Sequence, residues 1–141
     1  MPSDDTCVFC RIADGVEPAE VVLTTAEVVA FLDVRPVFKG HVLVVPREHV
    51  VTLPELPDAL LAPYYSAVRQ VVTAVPEAFG AQGTFVAMNN VVSQSVAHLH
   101  THVVPRTKGD GLRGFFWPRA RYAAGELEEY GARLRGALDR G

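Results

Sequence analysis

HLHTHVVP, residues 98–105, decides how this chain is read. It places His98, His100 and His102 at a spacing of two, three of the five histidines in the sequence, with Leu99, Thr101 and Val103 alternating with them. On a strand, residues two apart share a face, so the imidazoles point one way and the more apolar partners can face a core. Alternate Cα atoms lie roughly 6.6 Å apart and the outer histidines about 13 Å apart, whereas an imidazole nitrogen binds zinc at about 2.1 Å. One metal ion cannot easily take all three. An adjacent pair such as His100 and His102 could hold a catalytic metal, and three incidental strand histidines are a further reading. The pattern better suits a row along a bound phosphate, where one neutral imidazole attacks phosphorus and its neighbours neutralise equatorial oxygens. NNVVSQS (89–95), just before the row, adds amides, hydroxyls and backbone N–H groups able to cradle an anion.

Outward from that stretch, VVLTT (21–25), VVAFLDV (28–34), HVLVVP (41–46) and GTFVAMNN (83–90) are rich in β-branched and aromatic residues and read as four more strands. Between them, residues 57–79 lack glycine and carry Leu60, Leu61, Tyr64, Tyr65, Val68, Val71, Val72 and Val75 at mostly three- and four-residue intervals. That spacing predicts one long amphipathic helix, with Pro63 in its first turn and Pro76 at its end. GELEEYGARLRGALDR (125–140) predicts a C-terminal helix despite its glycines. The order of elements predicts an α+β domain with a mainly antiparallel five-stranded sheet, because most strand connections are too short for helical crossovers.

The bulk numbers narrow the class. A chain of 141 residues, 49% hydrophobic and 21% charged, fits one soluble globular domain spanning residues 1–141. A net charge of -3 offers no broad attraction for a polyanion, so nucleic acid is not an expected partner and a phosphate must be held locally. The acidic start MPSDDTCVFC and the lack of a long apolar run predict a cytoplasmic protein with no membrane partner. Cys7 and Cys10 are too close for a useful disulfide framework and read as a metal half-site, a redox pair or free thiols; no strand precedes CVFC, which disfavours a thioredoxin-like pair.

With these residues in view, the chain resembles the histidine triad (HIT) family of nucleotide hydrolases and transferases. The resemblance is carried by HLHTHVV preceded by QSV, and by CVFCRIADG, VVAFLDVRP, GHVLVVPREH and GDG, from Cys7 to Gly111. It implies a five-stranded antiparallel sheet with helices, a homodimer, a purine nucleotide substrate and no organic cofactor. By position, it implies that His100 is the nucleophile toward the α-phosphorus, with His98 in the same catalytic row, that His102 and His41 contact the α-phosphate, and that Ser95 lies near the leaving group. Asn89 and Gln94 match the phosphate loop, and Asp33 the carboxylate that grips the ribose. Phe9, Ile12, Phe31 and Leu43 match the pocket around the base; as plain sequence they read equally as core, and Asp33 equally as a turn residue. Many members have a glycine after the paired asparagines and another before the glutamine, in a longer connection. Here Val91 and Ser93 stand there, which leaves open whether Asn89 or Asn90 meets the phosphate. Some bacterial members complete a structural zinc site with two histidines, here His49 and His98 beside Cys7 and Cys10.

The reading at this level is a purine nucleoside phosphoramidate hydrolase acting through a nucleotidyl-histidine. A dinucleoside polyphosphate hydrolase or nucleotidyl transferase would use the same intermediate, and a non-catalytic nucleotide- or zinc-binding module is the alternative from another class. GLRGFFWPRARY (111–122), with Trp117, either lines the surface beyond the phosphate or packs a dimer.

Overall fold

The β-branched runs form one sheet. A computed structural model describes residues 3–112 and 119–141, so Trp117 lies outside the described residues. The chain forms two units, residues 1–110 and 111–141. The first contains α1 (Val8–Ala13), β1 (Val21–Thr24), β2 (Val28–Leu32), β3 (Val42–Pro46), a 3-10 turn (Leu53–Glu55), α2 (Asp58–Phe79), β4 (Gly83–Ala87) and β5 (Thr101–Arg106). The second contains α3 (Glu126–Arg140). Strand order is β1-β2-β3-β5-β4 and every neighbouring pair is antiparallel, so the predicted α+β class and five-stranded sheet are present.

Pleating sorts the central strands onto two sides. Val28, Ala30, Val42, Val44, Leu99 and Val103 pack with Tyr64, Ala67, Val68, Val71 and Val75 of α2. Val29, Phe31, Leu43 and Val45 pack instead with Cys7, Phe9, Cys10, Ile12 and Ala13 from α1 and the residue that caps it. One polar contact crosses the α2 side: the Tyr64 hydroxyl donates to the Val44 carbonyl at 2.8 Å and accepts from Thr101 Oγ1 at 2.6 Å.

Two local expectations are corrected and one helix is added. Strand β5 begins at Thr101, so His98 and His100 lie in the segment leading into it. There the Leu99 N–H bonds the Val50 carbonyl at 2.7 Å, tying the lead-in to the segment after β3. The alternation survives this change, because Leu99 and Val103 join the α2 core while the rings of His98 and His100 lie 5.9 and 5.1 Å from that of Phe9. Helix α2 continues three residues past Pro76 and ends where Gly80, at φ 67°, closes the last turn with its N–H on the Pro76 carbonyl. Finally, α1 is a helix that the residue pattern does not announce. It is one and a half turns long, and the Cys7 thiol caps it by accepting from the Cys10 N–H at 3.4 Å.

Candidate active site and metal cluster

The site lies on the α1 side of the sheet, where β3 and β5 pair Leu43 with His102. Gly40 brings the chain into β3 just before His41. Its φ is +97°, and a Cβ there would meet the Phe79 ring at 2.6 Å, so glycine is required both by the turn and by the approach of α2. His41 is buried, and its partners fix its tautomer. The Val37 N–H donates to His41 Nδ1 at 3.1 Å, so this nitrogen carries the lone pair and Nε2 the hydrogen. His41 Nε2 therefore donates to His102 Nδ1 at 2.9 Å, which leaves His102 with its N–H at Nε2. The relay runs from a backbone amide through two rings to the Nε2 donor of His102.

His100 is set by a separate bond. Its Nδ1 lies 2.8 Å from the His98 carbonyl, which can only accept, so Nδ1 holds the hydrogen and the neutral ring keeps its lone pair at Nε2. The His100 and His102 rings stand 5.1 Å apart at 65°, and Phe9 meets His100 edge-on at 5.1 Å. A lone pair and a donor N–H are thus neighbours, the combination that attack on a phosphorus and neutralisation of its oxygen require.

Burial also controls charge. It pulls the His102 pKa down to about 4, with His100 and His41 adding repulsion against a proton and Asp33 opposing. His41 is lowered by the same cause, again against the pull of Asp33. These two rings are therefore neutral at physiological pH, as the relay's tautomers demand. The Asp33 Oδ2 lies 3.8 Å from His41 Nδ1, while Oδ1 accepts from the Arg35 N–H at 2.9 Å. Asp33 is thus a turn residue whose second carboxylate oxygen lies beside His41.

The loop before the row is held by its own side chains. Gln94 bonds at both ends of its amide: Oε1 accepts from the Val91 N–H at 3.2 Å and Nε2 donates to the Val51 carbonyl at 2.6 Å. It acts as a staple within the loop. Both asparagines are exposed: Asn90 Oδ1 accepts from the Leu53 N–H at 2.8 Å, and Asn89 Nδ2 donates to the Ser93 carbonyl at 3.1 Å. Ser95 is exposed. Val91 and Ser93 have φ of 72° and 62° and are the non-glycine residues with positive φ among the described residues. Both hold a left-handed geometry that glycine adopts freely and a β-branched valine does not.

Phe9, Ile12, Phe31 and Leu43 are buried together, with Phe9 and Phe31 edge to face at 5.4 Å. They form the apolar wall behind the histidine row.

A second cluster adjoins the first. Cys7, Cys10, His49 and His98 bring their four possible ligand atoms within 4.8 Å of one another. His98 Nδ1 lies 3.3 Å from Cys7 Sγ and 3.5 Å from Cys10 Sγ, and His49 Nδ1 lies 3.3 Å from Cys10 Sγ. Zinc bonds of about 2.3 Å to sulfur and about 2.1 Å to nitrogen, arranged tetrahedrally, separate such donors by about 3.6 Å. Two thiols and two imidazoles at these distances fit a closed site for that ion. His98 Nε2 donates to the Pro46 carbonyl at 2.8 Å, which turns the lone pair of Nδ1 toward the sulfurs and fixes the ring from outside the cluster. Asp33, His41 and His102 also form a group with metal-ligand reach, and His100 belongs to neither group. The backbone partners that set these tautomers, Val37 N–H, Pro46 C=O and His98 C=O, have no side-chain signal by which a sequence could reveal them. Arg47 is a further missed residue: it bonds the carbonyls of Thr25 and Ala13 at 2.9 Å each, tying the end of α1 to the β1–β2 turn.

Comparison with known proteins agrees with the geometry. The HIT domain matches residues 14–109. A relative named adenosine 5'-monophosphoramidase, from Schizosaccharomyces pombe, is 33% identical over 131 residues, 92% of this chain and 96% of its own. The crystal structure of a HIT family member from Bacillus subtilis superposes with a TM-score of 0.84 at 34% identity, covering 94% of this chain and 96% of that one. A zinc-bound histidine triad family protein from Mycobacterium smegmatis superposes with a TM-score of 0.72 at 35% identity, covering 96% and 94%. No helix of the described residues is long and apolar enough to cross a membrane. Match and geometry together place the chain in the HIT family.

Proposed function

We propose that this protein is a nucleotide hydrolase that cleaves at the α-phosphate of a purine nucleoside phosphoramidate through a nucleotidyl-histidine at His100. The observation that carries the reading is the bond from His100 Nδ1 to the His98 carbonyl, which leaves the Nε2 lone pair of the ring beside the donor ring of His102. In the first step Nε2 forms a bond to the α-phosphorus while the bond from phosphorus to the leaving nitrogen breaks. The leaving nitrogen takes a proton, and exposed Ser95 is the hydroxyl that passes it. His102, held by His41, donates from Nε2 to a phosphate oxygen as negative charge develops. His98 supports the positive charge that the nucleotidylated ring acquires, because its carbonyl already holds Nδ1–H. In the second step water attacks phosphorus, the bond to Nε2 breaks, a nucleoside monophosphate leaves, and the proton lost by water replaces the one taken by the amine.

On this reading Asp33 accepts from the ribose hydroxyls, Asn89 reaches the phosphate, and Phe9, Ile12, Phe31 and Leu43 back the base. Gln94 serves the loop by stapling it. Asn89 Nδ2 gives one of its two hydrogens to the Ser93 carbonyl and keeps the other for a phosphate oxygen, and Asn90, held through its oxygen, is the alternative donor. Zinc held by Cys7, Cys10, His49 and His98 is part of the reading, supported by the donor distances and by the zinc-bound relative. So is a homodimer, for which the exposed stripe of Leu127, Tyr130, Leu134 and Leu138 on α3 offers an apolar face that needs cover.

The test is turnover of adenosine 5′-phosphoramidate, with diadenosine polyphosphates alongside, by wild type and His100→Ala. Loss of at least about 10⁴-fold in kcat is expected for the variant. Equal turnover by the two proteins would end the reading, and binding without turnover would favour a binding module.

A further inference from the structure

The two clusters share a residue and a helix. His98 faces the thiols through Nδ1, is braced at Nε2 by Pro46, and uses its own backbone carbonyl to hold Nδ1–H of His100. Phe9 sits between Cys7 and Cys10 in the sequence, on the helix that Cys7 caps, and its ring lies against both His98 and His100. Anything that fixes the four donors thus constrains the nucleophile by two routes: through the His98 backbone and through the Phe9 ring. Both routes are short. They are also buried, with Cys10 and His98 fully enclosed and Phe9 7% exposed, so a movement at one end has little free volume in which to dissipate.

We infer that the Cys7–Cys10–His49–His98 cluster is coupled to the reaction centre, such that zinc binding there fixes the tautomer and aim of the His100 ring, with His98 and Phe9 as the positioning residues. The cluster is then more than a staple for the N-terminal segment. Its occupancy sets how much of the population presents Nε2 of His100 toward a phosphate. The inference rests on the proposed function for its benefit to nucleotide binding, but the coupling itself is a property of the free protein. Coupling of this kind is reciprocal: if zinc strengthens nucleotide binding, the nucleotide strengthens zinc binding by the same factor.

The experiment uses the full chain, stripped of metal and then titrated with zinc, and follows the ring nitrogens of ¹⁵N-histidine by NMR. Zinc is expected to collapse the His100 signals to a single pattern with hydrogen on Nδ1 and to shift the Phe9 ring, while the ring of Tyr64, on the far side of the sheet, stays in place. Affinity for adenosine monophosphate is expected to rise about tenfold with zinc, a factor within the usual range of coupling between sites. Phe9→Ala, which retains all four donors, is expected to keep its zinc affinity and to lose part of the zinc-dependent change in the His100 ring signals. His100 ring signals identical with and without zinc, or failure of the chain to bind zinc, would overturn the inference. A His100 response to zinc in a protein that binds no adenosine monophosphate would support the coupling and count against the nucleotide reading alone.

Discussion

The two sides of the sheet are made by the same strands and put burial to different uses. Toward α2, Val28, Ala30, Val42, Val44, Leu99 and Val103 meet a helix face that is almost wholly apolar, and the contact of Tyr64 with Val44 and Thr101 is its one polar knot in the described residues. Toward α1, the alternate residues of the same strands meet rings and thiols. There burial depresses imidazole pKa values and makes tautomers decidable, because every buried N–H must find an acceptor. The difference teaches that a pleat alone can separate stability from chemistry: one step along β5, from Thr101 to His102, passes from one regime to the other.

The largest departure between the sides is expected in acid. His102 has a folded pKa of about 4 against an unfolded value of 6.5, and His41 is lowered in the same direction. Between these values the unfolded chain binds more protons than the folded one, so stability rises with pH there. The contribution is fully present above pH 6.5 and is lost as pH falls toward 4. Denaturant midpoints of metal-free protein, measured from pH 7.5 to 4.5, should fall on acidification, and His102→Asn should flatten part of the slope. A profile equally steep in the variant would remove His102 from the account.

Cutting the knot on the other side is expected to cost stability and leave the pH profile unchanged. Tyr64→Phe removes the side-chain donor to the Val44 carbonyl and the acceptor of the Thr101 hydroxyl, at about 2 kcal/mol. An unchanged denaturant midpoint would mean that the hydroxyl contributes nothing net. The smallest expected effect lies in the loop that joins the sides. Val91→Gly relieves a β-branched residue at φ 72° and should stabilise the fold by about 1 kcal/mol after the entropy cost of glycine is subtracted. A lower melting temperature for this variant would show that the loop's left-handed turn carries no strain.

How much of this could be read in advance follows from which interactions are periodic. The strands and α2 were legible because burial on one face repeats at two or at about 3.6 residues, and each boundary fell within a few residues of its expected place. The start of β5 was not, since Leu99 bonds Val50 outside the ladder and no side-chain pattern marks that choice. Nor was α1, whose six residues are too few for a period and whose cap is a thiol. Of the site, the row of His98, His100 and His102 and the neighbouring His41 were visible as residue types, and the metal cluster as a spacing completed by resemblance. Their protonation pattern was invisible because it is written in backbone groups, Val37 N–H and the carbonyls of Pro46 and His98. Gln94 was visible as a polar residue in the motif, but its two bonds to backbone groups of Val91 and Val51 carry no side-chain signal.

The central claim is that the Nε2 lone pair of His100 becomes covalently bound to phosphorus. Rapid-quench mass spectrometry of the protein mixed with adenosine 5′-phosphoramidate tests it most directly. An adenylyl group on His100, formed and lost at rates compatible with kcat, is the expected result. Turnover with no adduct at any time, or an adduct on another residue, would contradict it.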